Sequence, residues 1–168
     1  SARYEGRAGD GGTGGDATAG GGGDGGAGAT ISYLLEGDVG GTIFLDDGAE
    51  GSAGTNNGGT AAGAGGAAGT VTLLLDGSTV TGATTVGADG EGAITTQTAA
   101  VAFPNNIGTS SKAMRLLTTN IETTFDKDVY TDSLVSGAID VIFSGTTKQT
   151  VSGPITGTGD MILHAAAI

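Results

Sequence analysis

Cysteine and tryptophan are missing from this sequence of 168 residues, proline occurs twice and histidine once. Without cysteine there is no disulfide framework, no thiolate metal site and no thiol nucleophile. The only imidazole is His164, in the strand-like "MILHAAAI". A catalytic dyad would have to bring its partner from far along the chain, and an edge-strand histidine is the simpler reading. With no Trp, three Tyr and four Phe, little aromatic surface exists on which sugar rings stack. Positive charge is equally scarce. Six Lys and Arg face 18 Asp and Glu, a net charge of −12. No Lys or Arg lies between Arg7 and Lys112, an interval that carries eleven acidic residues. Nothing offers the basic stripe that phosphate contacts need, so nucleic acid is not expected as a partner. No apolar run approaches the roughly 18 residues of a membrane-spanning helix. The first residues carry no signal-peptide core, consistent with a mature or processed form.

What is abundant is glycine, 36 residues, with 24 alanines beside it. Leu, Ile, Val and Phe together number 33, about 20% of the chain, which is marginal for a conventional core. Each ordered glycine also gives up more backbone entropy than any other residue. Stability must then come from dense backbone hydrogen bonding, repeated stacking, or contacts with other chains.

Thirty of the glycines fall in residues 1–92, leaving six for 93–168. The first part contains an internal repeat. Gly25–Gly51, "GGAGATISYLLEGDVGGTIFLDDGAEG", aligns with Gly65–Gly92, "GGAAGTVTLLLDGSTVTGATTVGADGEG", at an offset of 40 that slips to 41 after the second strand begins. Each unit reads as a Gly/Ala tract, a strand, an acidic Gly turn, a second strand and a Gly-Glu-Gly or similar exit. The expected strands are Thr30–Leu35 with Thr42–Leu45, and Thr70–Leu75 with Val80–Val86, on β-branched content and turn residues. The second part, Thr-rich, shows short apolar or alternating runs broken by Gly, Asn, Asp or Ser every 8–12 residues, the rhythm of a sandwich, barrel or solenoid. Only "SSKAMRLL", Ser110–Leu117, carries a helix pattern, with a serine cap.

The glycines of the tracts recur in threes: 48, 51, 54, 63, 66 and 69 in one, and 11, 14, 20, 23 and 26 in the other. A threefold extended helix brings every third residue to one side, where only glycine lets neighbouring backbones approach. The alternative is a flexible linker. Two tracts at matching positions of a repeat favour the ordered form.

"GGTGGDATA", Gly11–Ala19, fits most of a calcium-binding nonapeptide, but no adjacent nonapeptide continues its register. The turns "LDDG" and "ADGEG" place Asp46, Asp47, Asp89 and Glu91 where oxygen ligands for calcium are commonly assembled. Asp-Gly is also ordinary turn chemistry. No glycine-rich segment ends in G-K-[ST]. No nucleophile, acid or base stands in a recognisable arrangement, and an enzyme is not expected.

"VIFSGTTKQTVSGPITGTGDMIL", Val141–Leu163, and the preceding Asn105–Ala138 resemble the strand-turn repeats of large bacterial surface proteins, the autotransporter passengers and giant adhesins. The Gly/Asp/Ala tracts are similar to those that interrupt such passengers. They also resemble the polyglycine-helix tips of some phage tail-fibre adhesins. The resemblance implies an exported, repetitive β fold at a cell surface and carries over no catalytic residue.

The expectation is an all-β protein, a β-solenoid or stacked sheet assembly with threefold, polyglycine-type segments in its N-terminal half. Its stacked core is expected to include Ile31, Tyr33, Leu35, Leu73, Leu75, Val141 and Phe143. The expected role is structural: an extracellular, self-associating subunit of a bacterial fibre, surface layer or matrix, whose partners are copies of itself. The alternatives are an adhesin that contacts a host cell or carbohydrate through its loops and, less favoured, a phage tail-fibre adhesin.

Overall fold

The structure is a computed structural model that describes residues 3–18, 21–55 and 62–164. By contacts the chain divides into two units, one made of Ser1–Gly6, Ser32–Asp46 and Thr72–Ile168, the other of Arg7–Ile31 and Asp47–Val71. The described residues form strands and no helix. In chain order the strands are β1 (Arg3–Arg7), β2 (Thr30–Glu36), β3 (Thr42–Asp46), β4 (Thr70–Asp76), β5 (Thr84–Val86), β6 (Glu91–Thr96) and β7 (Val101–Phe103). They continue with β8 (Met114–Thr119), β9 (Thr123–Phe125), β10 (Leu134–Ser136), β11 (Val141–Phe143), β12 (Ile155–Gly157) and β13 (Met161–Leu163).

The strands join three sheets: β12-β10-β8-β6-β4-β2, β13-β11-β9-β7 and β1-β3-β5. β3 and β5, and the neighbours from β4 to β12 and from β7 to β13, run parallel in register. Strands consecutive in the chain lie in different sheets from β5 onward, so each pass visits another sheet before it returns. A line of parallel bridges, Thr84 to Ile107 to Val129 to Val151, accompanies them. The passes stack equivalent residues in columns. One column is Leu73, Ile94, Leu117, Leu134 and Ile155; another is Phe103, Phe125, Phe143 and Leu163.

Alternation decides what faces inward. β4 reads half-buried and buried in turn, and β5, β7, β9, β10 and β11 each bury their first and third residues. Because the side-chain period is two, a one-residue slip would turn every column inside out. The Phe column is a stack: ring centroids are 5.4 Å apart between Phe103 and Phe125 and 5.5 Å between Phe125 and Phe143. Such pairs add about 0.5–1.5 kcal/mol each beyond their area burial. The scarcity of large apolar residues is met partly by threonine. Thr96, Thr119 and Thr123 are buried, with Thr96 and Thr123 hydroxyls 3.1 Å apart.

Two local expectations change. Ser110–Leu117 is no helix; Met114–Thr119 is a strand, because its alternate residues Leu117 and Thr119 enter the columns of neighbouring passes. The expected strand Val80–Val86 is a bridge at Val80 followed by β5, with a corner at Gly82, whose Cβ would overlap the Gly41 carbonyl.

In the second unit, backbone hydrogen bonds recur every third residue. The amides of Gly11, Gly14 and Ala17 donate to the carbonyls of Ala49, Ser52 and Thr55 at 2.9, 2.8 and 3.2 Å. Those of Gly23, Gly26 and Ala29 donate back to Gly15, Gly12 and Gly9 at 2.8, 2.9 and 3.1 Å. Gly25 and Gly28 donate to Ala64 and Ala67 at 2.7 and 2.8 Å. A Cβ at Gly14 would lie 2.7 Å from the Gly54 nitrogen, whereas one at Gly12 or Gly15 would meet nothing within 4 Å. Gly20, in the same sequence register, lies outside the described residues.

Candidate functional site

The columns are closed in their interior and open at their last members. Leu134 and Val141 are 0% and 2% exposed. Their register partners one pass later, Ile155 and Met161, are 36% and 47% exposed. Among the described residues β12 and β13 are the outermost strands of their sheets, each with a neighbouring strand on one side. An edge of this kind is a template for strand addition.

The opposite end of the six-stranded sheet is β2. Thr30 pairs with Thr70 at an offset of 40, their hydroxyls 3.3 Å apart. The same offset sets Tyr33 in the Leu73 column and Leu35 in the Leu75 column. Tyr33 and Leu34 are 38% and 53% exposed. Tyr4, Tyr33, Leu35, Ile43, Leu45 and Leu73 line an apolar cavity of about 100 Å³. Of the residues expected in the stacked core, Leu73, Leu75, Val141 and Phe143 are buried, Ile31 and Leu35 are half-buried, and Tyr33 is exposed.

Acidic turns are used by the backbone. Asp38 accepts the Thr79 amide at 3.0 Å, Asp76 the Ala99 amide at 2.8 Å, Asp89 the Ala113 amide at 2.8 Å and Asp128 the Thr150 amide at 2.7 Å. In all four the carboxylate belongs to the earlier pass and the amide to the later one, 22 to 41 residues on. The Tyr130 hydroxyl donates to Asp128 at 3.2 Å, and burial together with that carboxylate raises the phenol above its ordinary value. In the second unit Asp10, Asp16 and Asp24 accept the amides of Ala49, Thr55 and Ala64 at 2.9, 2.8 and 2.7 Å. Hydrogen bonds from the Thr55 hydroxyl and amide hold the Asp16 carboxyl below its usual value.

Of the four calcium candidates, two converge and two stand apart. Asp47 accepts the Val71 amide at 2.6 Å and Asp89 that of Ala113. Glu91 accepts the Ala88 amide at 2.7 Å. Asp46 and Glu91 converge on Gly87, where a Cβ would overlap an oxygen of each, and Lys112 donates to the Gly87 carbonyl at 2.5 Å. Among the described residues no group of three or more His, Cys, Asp or Glu side chains is placed to hold a metal ion. His164 donates its backbone amide to the Phe143 carbonyl at 3.1 Å.

The sequence marks "DMILH" as an apolar run but not as a surface. Exposure of Met161 and Leu163 becomes visible only when β13 is seen to lack a further neighbour. No protein-family model, curated protein or solved structure matches the chain.

Proposed function

We propose that the chain is a β-solenoid with threefold, polyglycine-type extended segments, and that it serves as a structural, self-associating subunit of an extracellular bacterial fibre, surface layer or matrix. The single observation that carries the reading is the in-register stacking of apolar columns on parallel strands. Ile155, Met161 and Leu163 occupy columns that are buried in every preceding pass from β6 onward, and among the described residues their strands have a neighbour on one side. Association mechanism and fold mechanism are then the same: parallel strand addition with burial of an apolar column. The acidic surface, with net charge −12, opposes indiscriminate collapse. An extracellular setting is supported by the compositional likeness to surface-exposed bacterial repeats.

Negative-stain images of the purified protein, together with sedimentation velocity across a concentration series, test the reading. Fibres or arrays with a regular repeat are expected. A protein that sediments as a monomer throughout, with blank grids, overturns it.

A further inference from the structure

We propose that a lateral cleft between passes, lined by Asp89, Ser110, Tyr130, Asp132 and Ser152, is a binding site for a neutral saccharide. The cleft arises where one corner of the stack changes length. Thr84 and Glu91 are matched one pass on by Ile107 and Met114, seven residues apart in both passes. One pass further the matching residues are Val129 and Thr131, only two apart. The corner thus shortens by five residues, and an open cleft of about 320 Å³ lies at the step, lined from both lengths of corner. The step falls between internal passes, with described strands before and after it. In stacked repeats, insertions in single repeats map to one face, often the binding face.

Both walls are held by hydrogen bonds. In the longer corner Thr109 and Lys112 exchange backbone hydrogen bonds at 3.0 and 3.2 Å, and the Ala113 amide donates to Asp89. Gly108 has a φ of 65°, and a Cβ there would lie 2.6 Å from the Tyr130 carbonyl oxygen. Only glycine lets the loop leave this close to the shorter corner. In the opposite wall the Tyr130 phenol donates to Asp128, which anchors the ring. The Ser152 hydroxyl accepts the Thr131 amide at 3.0 Å and donates to the Thr131 carbonyl at 3.1 Å. The cleft is therefore preformed, as small-molecule sites usually are.

The lining selects the ligand. It offers the hydroxyls of Thr109, Ser110 and Ser152 and the carboxylates of Asp89 and Asp132, with the Tyr130 ring beside them and no Lys or Arg. Asp132 reaches back across the step, since its Oδ2 would lie 3.1 Å from a Cβ on Gly90, the neighbour of Asp89. Carboxylates accept hydrogen bonds from hydroxyl groups, while serine and threonine hydroxyls both donate and accept. An aromatic ring adds apolar surface for the C–H face of a sugar. Two carboxylates in a chain of net charge −12 repel an anionic ligand. An apolar ligand would bury these polar groups without partners. Calcium takes six to eight oxygens, and Asp89 already accepts the Ala113 amide. The volume is at the small end of ligand sites, about 300–1,000 Å³, and takes the end of a saccharide chain.

Equilibrium dialysis tests the site whether or not the protein self-associates, so its outcome is independent of the function proposed above. The probes are fluorescently labelled cello-, xylo-, manno- and maltohexaose, with spermidine as a cation and hexagalacturonate as an anion. The proteins are the parent, Tyr130→Ala, Asp132→Ala and Tyr4→Ala, compared after circular dichroism melts. Asp132 is exposed, so its substitution leaves the fold intact even where loss of the Tyr130 ring does not. The parent is expected to retain at least one of the neutral hexasaccharides and not hexagalacturonate. Tyr130→Ala and Asp132→Ala are each expected to weaken that retention about tenfold or more. Tyr4→Ala, at a tyrosine 37% exposed and outside the cleft, is expected to leave it unchanged. Retention of none of the neutral sugars overturns the proposal, and so does retention that Asp132→Ala leaves undiminished. Retention of spermidine alone assigns the cleft to a cation and overturns the saccharide.

Discussion

Phe143 and Leu163 are register partners on adjacent parallel strands, yet Phe143 is 2% exposed and Leu163 is 57% exposed. The difference arises because β11 has a neighbour on each side and β13 has one. Their substitutions should part accordingly. Phe143→Ala removes a ring packed at a tilt against that of Phe125 and is expected to cost about 3–5 kcal/mol of folding stability. Leu163→Asp alters a side chain already in water and is expected to change stability by less than about 0.5 kcal/mol, while abolishing concentration-dependent association. Urea melts at low concentration and sedimentation velocity measure the two effects. A large loss of stability from Leu163→Asp would show that β13 is not an open edge.

Thr119 is buried, and its hydroxyl has no hydrogen-bond partner. A buried unsatisfied group carries a desolvation penalty with no compensation. Thr119→Val keeps the shape and the β-branch, and is expected to stabilise the protein by on the order of 1 kcal/mol. A melt unchanged or lowered by this substitution would mean that the hydroxyl has a partner in solution.

The glycine tracts make a positional forecast. Gly14 is buried, and a Cβ there would sit 2.7 Å from the Gly54 nitrogen, while Gly12 faces open space. Gly14→Ala is expected to destabilise by about 1–3 kcal/mol, as overpacking does. Gly12→Ala should be neutral or stabilising by up to about 1 kcal/mol, since it restricts the unfolded chain. Equal behaviour of the two, with ready proteolysis of the tract, would make it a linker.

Acid should loosen the second unit. The Asp16 carboxyl is held below its ordinary value of 3.8 by the Thr55 hydroxyl and amide. A lowered folded value means that the stability it contributes is present above pH 3.8 and is lost as pH falls through the folded value. Asp16→Asn keeps an acceptor without a titrating proton, so its stability should fall less between pH 5 and pH 2 than that of the parent. An identical acid profile in both proteins would remove Asp16 from the account.

Calcium offers a separate check on the turn carboxylates. Asp47, Asp89 and Glu91 already accept backbone amides. Calcium chloride is therefore expected to raise the melting temperature no further than sodium chloride at matched ionic strength, through screening of like charge. A specific shift at micromolar to millimolar calcium would restore these residues as ligands.

Local pattern made much of the strand content legible. β-branched and aliphatic runs between Gly and Asp turns locate β2, β3 and β4 to within a residue, since the period of two and the turn residues act over short distances. The 40-residue repeat is equally visible, and Thr30 and Thr70, equivalent in that alignment, stand side by side. Ser110–Leu117 was ambiguous because a short apolar run near a serine satisfies both periods. Its strand form comes from neighbours on both sides, β6 and β10.

Residue type by itself determined that the chain is rich in glycine, poor in large apolar residues and strongly acidic. These are properties of residue type and near spacing, which no fold alters. Only the tertiary structure decided that Asp38, Asp76, Asp89 and Asp128 bond to amides 22 to 41 residues away. It alone separated Phe143 from Leu163, and Gly14 from Gly12. Parallel pairing is the physical reason: each strand's partner is a full pass distant, so what a residue touches depends on the pass beside it and not on the residues around it in sequence.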